Sequence, residues 1–167
     1  MGKPLPSYNT QHGIQFIGVT MFFWKRKKKE EPKARVAVES FSIVTLEVST
    51  MSSLIELEAV CTESGAEVSI YGKHWGSDDR YLRGRAECGA DEVLSLLNEC
   101  DLIGWDGFVG EHPPGLLDGG MFMLNATVNG DRQVSATGSG INPGSIDRLE
   151  DGLFSIVREK GQEFEEP

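Results

Sequence analysis

The 167-residue chain is 39% hydrophobic and 25% charged, which excludes a disordered chain and suits one globular domain with a core of its own. Its net charge of −10 is unevenly placed: residues 1–35 hold eight basic side chains against Glu30 and Glu31, a local +6, so the remainder carries −16. A body that acidic repels phosphate backbones and is excluded as a nucleic-acid binder; the basic lead alone has the sign to meet an anionic surface.

The lead, residues 1–35, opens the chain. Gly13–Trp24 is its most apolar stretch, 12 residues long and short of the ~18–20 that cross a bilayer. Its positive charges follow the apolar run and no small-x-small site closes it, unlike a secretory signal. Three readings stand side by side. The stretch is an interfacial anchor, with Phe22, Phe23 and Trp24 in the headgroups and Lys25, Arg26, Lys27, Lys28 and Lys29 against anionic lipid. Or it is a disordered tail. Or the natural protein starts at Met21, in the manner of a small bacterial protein. Pro32 and the run KRKKKEE mark a linker before the domain, expected over 36–160.

Val36–Val48 is rich in β-branched and aromatic residues, with a phase slip between Ile43 and Val44 that predicts a bulge or a strand buried on both faces. Ile55, Leu57, Ala59 and Cys61 alternate with Glu56 and Glu58, the pattern of a half-buried strand. After Glu63-Ser64-Gly65, the residues Ala66, Val68 and Ile70 resume the alternation, giving an antiparallel hairpin. Residues 72–79 read as loop and Tyr81–Glu87 as a weaker strand. Asp91 suits an N-cap, and Val93, Leu94, Leu97 and Cys100 share one helical face. The Gly- and Pro-rich stretch 101–120 reads as a long loop, uncommon in a small domain unless functional or packed by its own side chains.

Met121–Val128 and Arg132–Thr137 are strands around Asn129-Gly130. A two-residue turn there would set Leu124 against Ser135, so the phase predicts a three-residue loop, Val128–Gly130, with Leu124 opposite Val134. Helical spacing returns at Ile146, Leu149, Leu153 and Ile156, begun by Asn142 with Pro143 or by Ser145 and ended by Gly161. Gly152 inside it costs about 1 kcal/mol relative to Ala. Residues 161–167 form an acidic, frayed tail. The order predicts an α+β fold: an antiparallel sheet of about five to six strands with two helices on one face.

Chemistry is sparse. Cys61, Cys88 and Cys100 are odd in number and contain no CxxC pair, against a disulfide framework or zinc knuckle and for thiols acting as small core residues in a reducing cytoplasm. The loop Asp101–Asp118 gathers Asp101, Asp106, Glu111, His112 and Asp118. Such a set can hold a divalent metal or do acid–base work, but Asp106-Gly107 and Asp118-Gly119 are also ordinary turn dipeptides and no ligand spacing is present. Trp105 and Phe108 beside Asp106 make an aromatic binding patch or anchor the loop to the core. SATGSGINPG (135–144) has the glycines of a phosphate loop without its Lys-Ser/Thr, and reads as a strand exit.

WDGF (105–108), PPGLLDGGMF (113–122) and ATVNGDRQVSATGSGINP (126–143), with VESFSI at 38–43, resemble a pattern in small uncharacterised bacterial α+β proteins: a tryptophan loop, an LDG turn, a hairpin and a GS-x-x-x-P exit into a helix. The resemblance covers most of 38–157 and implies a shared fold. The family carries no assigned activity, so no catalytic residue follows from it. The chain departs from it in reading GSGINP, where Asn would directly follow GS.

Three functions are compatible with these residues. A non-enzymatic binding or interaction module is favoured, binding an unidentified protein or small ligand through Trp105, Asp106, Phe108 and Asp118, with no metal and no cofactor. The second is a cytoplasmic protein held peripherally at the inner membrane by residues 14–29. The third is a small metal-dependent hydrolase using Asp106, His112 and Asp118 of the 105–118 loop.

Overall fold

A computed structural model describes residues 35–74, 76, 79–115, 120–140 and 142–161. The strands are β1 (Phe41–Ser49), β2 (Leu54–Thr62), β3 (Gly65–Lys73), β4 (Arg80–Cys88), β5 (Phe108–Gly110), β6 (Met121–Val128) and β7 (Arg132–Ser139); the helices are α1 (Ala90–Glu99) and α2 (Ile146–Lys160), with a 3-10 turn at Leu102–Trp105. They form one α+β unit. The seven strands run in the order β4-β3-β2-β1-β6-β7-β5, antiparallel throughout except that β5 lies parallel to β7.

The sheet has seven strands where the sequence predicts five to six. The additional strand is β5, three residues inside the stretch expected to be loop. Three residues are too few to display an alternation, so no periodicity announces them. Tertiary contacts hold the strand: Phe108 lies opposite Ala136 on β7 and stacks on Phe122 at 6.2 Å between centroids.

Registers align the core into rows that cross the sheet. Gly84, Ile70, Leu57, Leu46, Leu124, Ala136 and Phe108 are successive cross-strand partners, one from every strand. The next row is smaller: Ala86, Val68, Ala59, Val44, Ala126 and Val134. Apart from Gly84 and the half-buried Phe108, which packs against the others, these residues join Val93 and Leu97 of α1 and Leu149, Leu153 and Ile156 of α2 in a single buried cluster. Both helices therefore cover the same face, and among the described residues no helix lies on the opposite phase of the strands.

A bulge is present, but it lies earlier than the slip expected between Ile43 and Val44, and Ile43 keeps the outward phase. The β1–β6 register shifts between Phe41 and Ile43, which lets Phe41 and Val44 both turn inward. Residues 36–40, expected to begin that strand, stay outside the sheet. The β6–β7 hairpin has the predicted three-residue loop and the predicted apolar-to-apolar phase, but one residue later: the loop is Asn129–Asp131, Leu124 faces Ala136 and Ala126 faces Val134. Val128 keeps its fully buried place, and Asn129 and Gly130 take the two left-handed positions, with φ of 50° and 90°, as Asn-Gly favours.

The α1 helix is capped by Gly89, with no side-chain cap bond, in place of Asp91; Asp91 and Glu92 instead lie in the first turn, favourable to the dipole. Ser145 and Gly161 flank α2 as expected. Ser145 Oγ donates to the Cys100 carbonyl at 2.8 Å, satisfying an acceptor that α1 leaves open at its end. Of the three thiols only Cys100 is buried; Cys61 is exposed at the end of β2 and Cys88 is half-buried, so the core role expected for all three holds for one. Burial pushes the Cys100 thiol up to about 11, with Glu99 adding to the shift and Arg148 opposing it.

Gly152 has a packing reason. A Cβ there would lie 2.5 Å from a Leu96 methyl carbon, so the helices approach through the missing side chain. Gly152→Val is expected to destabilise the domain by about 1–3 kcal/mol through overpacking, despite the helix propensity it recovers. Urea denaturation at unchanged m-value measures this; a gain in stability contradicts the packing account.

Candidate functional site

The face without helices is divided by chemistry. On β2, β3 and β4 it is charged. Glu47 of β1 lies directly opposite Glu56 of β2, and like charges in that position repel. Lys73 removes the conflict by bridging both: its Nζ is 2.5 Å from Glu47 Oε2 and 2.6 Å from Glu56 Oε2. Arg80 adds an ion pair to Glu56 and a longer one, 3.5 Å, to Glu58, and stacks its guanidinium over Tyr71 at 4.0 Å. The stems of these side chains cover Glu56 until it is 8% exposed. Burial alone would raise the Glu56 pKa, but the hydrogen bonds and charges of Lys73 and Arg80 outweigh it and hold the carboxyl below its usual value. Lys73 is the mirror case: burial opposes its charge, and Glu47 and Glu56 raise its pKa overall.

On β1, β6, β7 and β5 the same face is almost uncharged. Cross-strand neighbours are Ile43 and Thr127, Thr45 and Asn125, Asn125 and Ser135, Met123 and Thr137, Met121 and Ser139, and Thr137 and Val109. Met121, Met123 and Val109 are exposed apolar side chains. Where this half meets the charged half lies an open hollow of about 340 Å³, lined by Glu47, Ser49, Met121, Met123, Thr137 and Ser139 among others. Among the described residues of that wall the one carboxylate is Glu47, which is paired with Lys73. At its rim His112 Nδ1 and Ser139 Oγ are 2.9 Å apart.

Of the residues singled out from the sequence, His112 reaches this rim, while Trp105, Asp106 and Phe108 are not among the residues that line the hollow. Trp105 is buried in the core. Asp106 Oδ1 accepts from the Ser135 N–H at 3.3 Å and the Gly107 N–H donates to the Ser135 carbonyl at 2.9 Å, so Asp106-Gly107 continues β5 along the edge of β7 as a substitute for strand. Phe108 is half-buried against Phe122. His112 reaches β7 at Ser139, four residues and so roughly 13 Å of strand from the Asp106 contact at Ser135; these two members of the expected metal set meet β7 at separate points. Among the described residues no group of three or more His, Cys, Asp or Glu could hold a metal ion. Asp118 lies outside the described residues, as do Phe22, Phe23, Trp24 and Lys25–Lys29 of the expected membrane contact. No helix among the described residues is long and apolar enough to cross a membrane.

The hollow was within reach of the sequence. Met121 and Met123 occupy the outward phase of a strand whose inward phase is Phe122, Leu124 and Ala126, and two methionines on a solvent phase are a signal of their own. A comparison with protein-family models and with curated proteins finds no match.

The ion network predicts a pH signature. A carboxylate whose folded pKa lies below its unfolded one stabilises the fold above about 4.5 and loses that contribution as pH falls through the folded value. Glu56→Gln is expected to cost about 1–3 kcal/mol at neutral pH, with the gap to the parent protein narrowing once the pH drops below 4.5. Denaturation across pH reads it; a gap that persists unchanged into acid contradicts the ion-pair origin.

Proposed function

We propose that the domain is a non-enzymatic binding module that docks a partner protein on the uncharged half of its open sheet face, with Met121 and Met123 as anchors. The observation that carries this reading is the hollow between those methionines. On a chain of net charge −10, it is lined by thioethers, hydroxyls and one neutralised carboxylate. Interface centres are depleted of charge and enriched in Met, and methionine adapts its shape to what packs on it. The hollow is open and shallow, whereas small-molecule sites enclose most of their ligand; a partner side chain that brings its own surrounding surface fits it better. The complementary surface is uncharged, with an apolar side chain at its centre and hydrogen-bonding groups around it to meet Ser49, Thr137 and Ser139.

A photo-crosslinking residue placed at Met123 of the full chain, in its native cells, tests the proposal. The expected result is one defined protein adduct at position 123, lost when Met121→Glu is added and absent when the crosslinker replaces Glu159 on the helical side. Adducts of equal yield at both positions, or none at 123, overturn it. A small molecule that protects position 123 in place of a protein also counts against it.

A further inference from the structure

Residues 37–40 join the domain without entering the sheet, and two asparagine side chains hold them. Asn98 of α1 accepts from the Val38 N–H at 2.8 Å and donates to the carbonyls of Val38 and Leu94, each at 2.9 Å. From the other side, Asn129 Oδ1 accepts from the Glu39 and Ser40 N–H groups at 2.7 and 3.2 Å, and its Nδ2 donates to the Ala37 carbonyl at 2.9 Å. The Asn129 backbone N–H adds a bond to the Ser40 carbonyl at 2.9 Å. Together they form a strap that keeps Val38 in the core at 4% exposure.

We propose that Asn129 is a site of spontaneous deamidation, and that its modification releases this strap irreversibly. Asparagine is chemically labile, and here it precedes glycine in an exposed turn. Glycine carries no side chain of its own to hinder attack by its amide nitrogen, and the space where a Cβ would stand is open, with nothing within 4 Å. That nitrogen attacks Asn129 Cγ. The N–Cγ bond forms, the Cγ–Nδ2 bond breaks, and ammonia leaves with the Gly130 amide proton. Water then opens the cyclic imide at either carbonyl, giving aspartate or isoaspartate; water is the one co-reactant.

The strap controls the reaction. While Oδ1 and Nδ2 are bonded to residues 37, 39 and 40, the side chain is held on the strap and must leave these partners to take up the geometry of attack. Attack requires local opening, so its rate follows the open fraction. The product cannot close again as before. Aspartate sets an acceptor-only carboxylate against the Ala37 carbonyl in place of an N–H donor, and isoaspartate inserts a backbone methylene into the hairpin loop. The hairpin loop thereby acts as a one-way recorder of strap opening, independent of what the open sheet face binds.

Peptide mapping with an isoaspartate-specific assay, on the full chain aged at mildly alkaline pH, tests this. Asn129 is expected to convert before Asn98 and Asn125. Asn98→Ala, which loosens the strap and leaves Asn129-Gly130 untouched, is expected to speed conversion about tenfold, the effect of about one lost hydrogen bond. Val38→Ala should act in the same direction and serves if the first variant does not fold. In the converted fraction, hydrogen exchange at the amides of residues 38–40 should rise while that of Leu46 and Leu124 stays slow. Conversion at the same rate in the parent and the loosened variant, or amides at 38–40 still protected after conversion, overturns the proposal.

Discussion

Leu46 lies opposite Leu57 on one side and Leu124 on the other, and the same row runs on through Ile70 and Gly84 in one direction and Ala136 and Phe108 in the other. Side chains in a sheet have a period of two, so fixing one row fixes the faces along each strand as far as its bulges, at Phe41/Ile43 on β1 and at the β3–β4 shift beside Ile70. A slip of one residue in β2 alone would turn Leu57 and Ala59 outward and bring Glu56 and Glu58 into the core. The desolvation cost of two unpaired carboxylates is larger than any single packing gain that such a slip could recover. The neighbouring row, which includes Ala86, Ala59 and Ala126, is thinner, and leaves depth for α1 and α2.

The same register creates the problem that the open face has to solve. It places Glu47 across from Glu56, and nothing in the core pattern can avoid this, since both are locked to the outward phase by Leu46 and Leu57. Lys73, two residues beyond Tyr71, the partner of Glu56, is within reach of both carboxylates. The network is therefore a consequence of the core, satisfied locally. Because it consumes the charge of Glu47, the hollow beside it is left with hydroxyls and thioethers, and the division of the face into a charged and an uncharged half follows from where Lys73 can reach.

Strands with several turns of alternation were legible: the boundaries of β6 are those expected, and β2 and β3 differ only at their ends. Both helices were legible from their apolar spacing, though the cap of α1 was not, because Gly89 caps with its backbone and carries no side-chain signature. The hairpin shows where pattern reasoning stops. The phase rule correctly rejects the two-residue turn, but two three-residue loops preserve phase. The choice between them lies with Asn129, whose side chain must reach residues 37–40, about 90 positions away in sequence. A contact of that separation leaves no trace in a local window. The strand β5 escaped for the same reason, its partners being on β7 and β6.

The loop around WDGF illustrates how a conspicuous motif can carry structural tasks. An aromatic, an acid, a glycine and a second aromatic look like a binding patch, yet each has a task at the sheet edge: Trp105 fills the core, Asp106 and Gly107 satisfy the backbone of Ser135, and Phe108 stacks on Phe122. Beyond Ser135 the edge of β7 would otherwise expose unpaired N–H and C=O groups, an invitation to pairing with another chain. Conspicuous residue types were required there because a three-residue strand cannot cover an eight-residue one by itself. The candidate surface instead lies on regular strands, in side chains whose only distinction is that they face the wrong way for their hydrophobicity. Where the described helices cover one face of the sheet, the phase opposite the core carries the apolar side chains that the core does not account for.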